Sequence, residues 1–75
     1  DVTVIGRHPN WDVVLPHKTV SRRHALIVKA GDSYKIQDLG SINGIFVDNQ
    51  RVGEATLANG SKIKIGECVL LFEED

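Results

Sequence analysis

Arg7, Ser21, Arg22 and Asn43 are the residues of this chain whose types suit holding an anion on an extended peptide. A guanidinium presents a planar fork of N–H donors that matches two oxygens of a phosphate. A serine before a strand can offer an anion its hydroxyl and its backbone N–H. A carboxamide both donates and accepts, so it can bond the N–H and C=O of a peptide main chain. These residues sit in three short runs, Gly6-Arg7, Ser21-Arg22-Arg23-His24 and Asp38-Leu39-Gly40-Ser41-Ile42-Asn43-Gly44. Each run lies at the end of an expected strand, where loops at one sheet edge can converge. A tetrahedral dianion fits the combined set, and its chemistry is retention without turnover. Taken singly, each run also reads as ordinary structure: a surface dipeptide, a turn before a strand, an Asn-Gly turn. Asp38 is expected to brace its loop, because a carboxylate facing a phosphate would repel it.

The charge distribution agrees with a local anion site. Net charge is only −1, which argues against a general binder of nucleic acid or of membrane surfaces. Yet Arg7, Lys18, Arg22 and Arg23 fall in the first third, where Asp1 and Asp12 are the only acids. Glu67, Glu73, Glu74 and Asp75 crowd the other end. A cationic patch on a slightly acidic body suits a compact anion better than a long polyanion.

The elements that must position these groups are all strands. Helical periodicity is absent, and alternation punctuated by turns predicts strands at 2–5, 12–15, Ala25–Ala30, 34–39, Ile45–Val47, 51–52, Lys62–Ile65 and 68–73. Asp48-Asn49-Gln50 reads as a hairpin turn and Asn59-Gly60 as the strongest turn signal in the chain, and Val52 and Leu57 as core cover from a longer connection. Seven or eight short strands indicate an antiparallel β-sandwich or small barrel. At 75 residues, 41% of them hydrophobic, the chain is expected to form one domain, and without an initiator methionine it reads as a segment of a longer chain. Cys68 excludes an intrachain disulfide, reads as a core thiol, and is compatible with an intracellular, reducing setting.

Other chemistries find little support. His8, His17, His24 and Cys68 match no familiar zinc spacing. Strand-then-helix phosphate loops of the nucleotide-binding type have no counterpart. No cofactor or metal is therefore expected, and no nucleophile stands beside a base. His24 reads as a semi-buried ring that bonds the loop backbone and fixes Ser21. Trp11 reads as a loop-packing residue.

The order of the motifs, Ile5-Gly6-Arg7, Ser21-Arg22-Arg23-His24, 38–44, then Gly60 and Ile65-Gly66, closely resembles the forkhead-associated (FHA) domain over nearly the whole chain. That family reads phosphorylated motifs. The resemblance implies a twisted antiparallel β-sandwich of about eleven strands that binds phosphothreonine peptides through loops at one end. By motif, Arg7 would bind phosphate oxygens, with Ser21 and Arg22 adding hydrogen bonds and charge. Asn43 would hold the peptide main chain, Ile42, Thr19 and Lys18 would supply loop contacts, and Gly6, His24 and Gly44 would be architectural. The implied partner is a phosphothreonine-containing protein or peptide, not nucleic acid or membrane. The sequence departs from the family pattern twice. Ile42 stands where threonine is frequent, losing a hydroxyl while keeping an N–H. Residues 1–5 leave no room for the usual first strand pair, so the edge near 68–72 would be unpaired. The rival readings are a phospho-independent interaction module on the same sandwich, which Ile42 favours, and a small nucleic-acid-binding barrel. Trp11, Tyr34, Phe46 and Phe72 are too few and scattered to provide that barrel's stacking face.

Overall fold

Alternation of apolar and polar residues dominates the chain, and strands follow wherever it does. The computed structural model describes residues 1–74, so Asp75 lies outside the described residues. The strands are β1 (Val2–Gly6), β2 (Val13–Val14), β3 (Ala25–Ala30), β4 (Ser33–Asp38), β5 (Ile45–Val47), β6 (Gln50–Val52), β7 (Glu54–Leu57), β8 (Lys62–Ile65) and β9 (Cys68–Leu71). They form two sheets, ordered β2-β1-β3-β4-β7 and β6-β5-β8-β9. The inward residues of both are mostly isoleucine. Ile5 and Ile36 from the first sheet meet Ile45, Ile63 and Ile65 from the second, with Val20 and Leu57 between them. β-Branched side chains fit a pleated surface, and full burial of each contributes about 1.5–3 kcal/mol. The chain is thus the β-sandwich expected from its alternation.

Two details differ from the sequence reading. Residues 54–57, read as part of a connection, form a strand, with Tyr34↔Leu57 and Ile36↔Ala55 in register. Glu and Ala are weak strand formers, and only the inward Ala55 and Leu57 carry the period. Second, β2 runs parallel to β1, pairing Ile5↔Val13 and Gly6↔Val14. The intervening loop is far shorter than a usual parallel crossover. It is fastened by Asp12, whose carboxylate accepts the Val4 N–H at 2.9 Å, and by Trp11, whose indole N–H donates to the Arg22 carbonyl. Asn59-Gly60 forms the turn expected of it. The Ser61 N–H bonds the Ala58 carbonyl at 2.9 Å in a turn that carries the chain from one sheet to the other. The tight hairpin is at Asp48-Asn49, both at positive φ (50° and 70°), as a two-residue turn matched to strand twist requires.

Register places the Gly6-Arg7, Ser21–His24 and 38–44 runs, with Gly66, at one end of the sandwich, while Gly60 lies at the other. Ile5, Ala25 and Asp38 lie in one row of the first sheet, and Ile45, Ile65 and Cys68 in one row of the second. The loops that leave these rows are 7–12, 15–24, 39–44 and 66–67. β9 is the outer strand of its sheet, as expected for the 68–72 edge, and Val69 and Leu71 are 59% and 61% exposed.

Candidate anion site at the loop end

The 15–24 loop is the platform, and the core anchors it at two points. Val20 is buried among the apolar side chains, and the His24 ring is fully buried. His24 Nδ1 accepts the Ser21 N–H at 3.0 Å, which leaves Nε2–H to donate to the Gly44 carbonyl at 2.8 Å. One ring therefore ties the serine motif to the asparagine loop. The Ser21 N–H, read from sequence as a donor for the anion, is committed to that ring instead.

The asparagine loop is braced from within. Asp38 accepts both the N–H and the hydroxyl of Ser41, and Ser41 Oγ in turn accepts the Gly44 N–H at 2.9 Å. Gly44 sits at φ +73°, a region costly for a side chain, and a Cβ there would meet the Arg51 guanidinium, with Nε at 2.7 Å. Ile42 donates its N–H to Ser21 Oγ at 3.2 Å, so this N–H is shared with the serine rather than left open. With that acceptor site filled, the Ser21 hydroxyl proton is free to point outward. The Ile42 side chain is 87% exposed.

Thr19 is a junction that no motif announced. Its carbonyl accepts Asn43 Nδ2 at 2.7 Å, and its Oγ1 accepts the Glu67 N–H at 2.8 Å. The same hydroxyl donates to His17 Nδ1 at 2.8 Å, a nitrogen that also receives the Thr19 N–H. Three loops thus meet on one residue, through its carbonyl and its hydroxyl. Asn43 keeps its Oδ1 and second amide proton for a peptide main chain.

Arg7 is held in place by two bonds. Its backbone N–H donates to the Ser21 carbonyl at 3.1 Å, and its Nε–H to the Val20 carbonyl at 3.0 Å. The two Nη groups remain. Gly6 makes this approach possible by its size, since its φ is not positive. A Cβ there would press on the Arg22 carbonyl oxygen, with the carbonyl carbon at 2.9 Å and Trp11 Cδ1 at 3.0 Å. Gly6→Ala is accordingly expected to cost about 1–3 kcal/mol by overpacking. Urea unfolding measures this; an unchanged midpoint would contradict the close approach.

Arg7, Lys18, Thr19, Ser21, Ile42 and Asn43 line one cavity of about 140 Å³, together with Val20. Small-molecule sites span about 300–1,000 Å³, so this one suits a single functional group. Its lining holds two cations and, among the described residues, no carboxylate. Arg22 follows Ser21 in the chain, but its exposed side chain is not part of that lining. A second cavity of about 320 Å³ shares Thr19 and Asn43 and continues over Phe46 and Lys64. A larger one, about 520 Å³, opens at the far end of β3 and β4, where Asp32, Glu73 and Glu74 face one cation, Lys29. Three carboxylates there disfavour an anion, so volume alone does not locate the site.

Comparison with known proteins agrees with this geometry. The family model described as the FHA domain matches residues 3–66. The oxoglutarate dehydrogenase inhibitor of Corynebacterium jeikeium is 43% identical over 72 residues, covering 96% of this chain and 50% of that protein. The chain therefore spans about half the length of the curated relatives it matches. A solved structure from a structural and functional analysis of phosphothreonine-dependent FHA domain interactions superposes with a TM-score of 0.94 at 35% identity, covering 99% of this chain and 77% of that one. Mycobacterium tuberculosis EmbR, in complex with a low-affinity phosphopeptide, superposes at 0.92 with 41% identity, covering 96% of this chain and 19% of that one. On the family match, the motif order and the shared sandwich, the chain belongs to the FHA domain family.

Proposed function

We propose that this chain is a phosphothreonine-peptide binding module, a reader of phosphorylation that brings two proteins together without chemical turnover. The observation that carries the reading is the cavity in which Arg7, Lys18, Ser21 and Asn43 converge with no opposing carboxylate among the described residues. A phosphothreonine bears roughly −1.5 to −2 charges at pH 7 and three acceptor oxygens. The Nη groups of Arg7 and the Ser21 hydroxyl meet those oxygens, and Lys18 adds charge. Arg22, beside the cavity and not in its wall, contributes longer-range attraction. Asn43 holds the peptide main chain through the amide atoms that Thr19 leaves free. Gly6, His24 and Gly44 set the loop geometry, and Thr19 and Ile42 border the bound peptide. Relatives named for phosphothreonine-dependent interaction and for a phosphopeptide complex support the same reading, as does a regulator named as an inhibitor. The partner is a phosphothreonine-bearing protein, and the domain acts as one module of a longer protein.

Calorimetric titration with a phosphothreonine library and its unphosphorylated counterpart tests this reading. Binding confined to the phosphorylated library is the expected result. Equal affinity for both would favour phospho-independent docking instead. Ile42 offers a sharper check, because its exposed side chain borders the cavity without a hydroxyl. Ile42→Thr restores a donor worth about 0.5–1.5 kcal/mol, and so should tighten phosphopeptide binding roughly two- to tenfold. No change on titration would place position 42 outside the phosphate's reach.

A further inference from the structure

The outer face of the second sheet differs in charge from the rest of the molecule. No strand of this sheet contains an acidic residue, although the whole chain carries a net −1. Residues directly opposite in antiparallel strands share a face, so register defines what that face presents. One row reads Arg51, Phe46, Lys64, Val69, and the next pairs Lys62 with Leu71. Their inward neighbours are Ile45, Ile63 and Ile65, which are buried, leaving three cations and three apolar side chains turned outward. Lys64 Nζ lies 5.9 Å from the Phe46 ring centroid, so cation and apolar surface interleave. The first sheet offers no such face: its outward Lys35 is paired with Glu54 at 3.6 Å.

This surface begins at the anion site. The second cavity shares Thr19 and Asn43 with the first and is floored by Phe46 and Lys64. A peptide leaving Asn43 in that direction passes Glu67, the one acid lining this cavity, and then runs onto the cationic, apolar rows.

We propose that the phosphothreonine partner is held over a longer track than the phosphate cavity, by an acidic and apolar segment next to the phosphothreonine that lies across Phe46, Lys64, Lys62, Val69 and Leu71. The inference rests on the phosphothreonine reading and adds the chemistry of the partner's flanking sequence. Glutamate or aspartate side chains meet Lys64, Lys62 and Arg51, and alternating aliphatic ones cover Phe46, Val69 and Leu71. Exposed ion pairs of this kind are individually weak and screened by salt, so the segment adds selectivity to a contact the phosphate dominates.

The test compares a short phosphothreonine peptide with the same peptide extended, at one end or the other, by alternating glutamate and leucine. Fluorescence anisotropy is expected to show about tenfold tighter binding for one of the extended forms, a gain that falls with added salt. A lysine–leucine extension should give no gain. Lys62→Glu combined with Leu71→Ser alters two exposed positions on the row farther from the cavities. It should leave the short peptide's affinity unchanged and remove the gain. Equal affinity of short and extended peptides, with phospho-dependence intact, overturns this inference alone. So does a gain that survives in the double variant. Extended peptides that bind equally tightly whether or not they are phosphorylated would defeat the phosphothreonine reading and leave the track standing.

Discussion

Replacing Arg7 by alanine is expected to weaken phosphothreonine-peptide binding tens- to thousands-fold. Only Arg7 and Lys18 bring positive charge into the lining of the cavity, and Arg7 alone is fixed by bonds at both backbone and side chain. Lys18 is an exposed, flexible stem, and Arg22 lies outside the lining. Arg7 is exposed in the free domain. By analogy with truncating one partner of a charge pair that binding buries, its loss costs about 2–5 kcal/mol, and each 1.4 kcal/mol is about tenfold in affinity. Folding should suffer far less. The variant loses one hydrogen bond, Nε–H to the Val20 carbonyl, worth about 0.5–1.5 kcal/mol at a partly exposed position. Arg7→Lys separates charge from geometry, since an ammonium retains attraction but lacks the fork and the Val20 contact. It should fall between wild type and alanine. Calorimetry paired with thermal unfolding checks both statements, and an alanine variant that binds within about twofold of wild type contradicts the assignment.

His24→Ala is the second large effect, and it acts on the fold. The ring is fully buried and satisfies a donor and an acceptor on two different loops, Ser21 N–H and Gly44 C=O. Removing it strands both, at about 1–3 kcal/mol each, and leaves a cavity among the core side chains whose cost adds to that. A 75-residue domain has a total stability of only about 4–11 kcal/mol. The variant should therefore be largely unfolded at room temperature or have a strongly lowered urea midpoint. His24→Gln presents a donor and an acceptor on a flexible chain and should recover part of the loss. An unfolding free energy within about 0.5 kcal/mol of wild type for the alanine variant would show that the ring is not the tie between the loops.

Much of this arrangement was readable from residue types. Alternation located β3, β5 and β8, where inward isoleucines leave a clear period, and the motif order pointed to converging loops. Local signals failed where tertiary contact decides. Glu54–Leu57 becomes a strand because it pairs with β4, not through its own propensity. Thr19 carries no motif, yet Asn43 Nδ2 and the Glu67 N–H both converge on it from loops 24 and 48 positions away. Gly6 was expected to be architectural, but what it must clear, the Arg22 carbonyl, only the packed loop reveals. The donor assignments at Ser21 and Ile42 changed for the same reason. A backbone N–H counts as free in a sequence until a neighbouring loop claims it.

Amide chemical-shift mapping by NMR during titration with a phosphothreonine peptide tests the central claim most directly. Binding at the loop end should move the amides of residues 7, 18–22 and 41–44 first and furthest, with the unphosphorylated peptide leaving them in place. Shifts confined to the far end of β3 and β4, around Asp32 and Tyr34, or identical maps from both peptides, would contradict it.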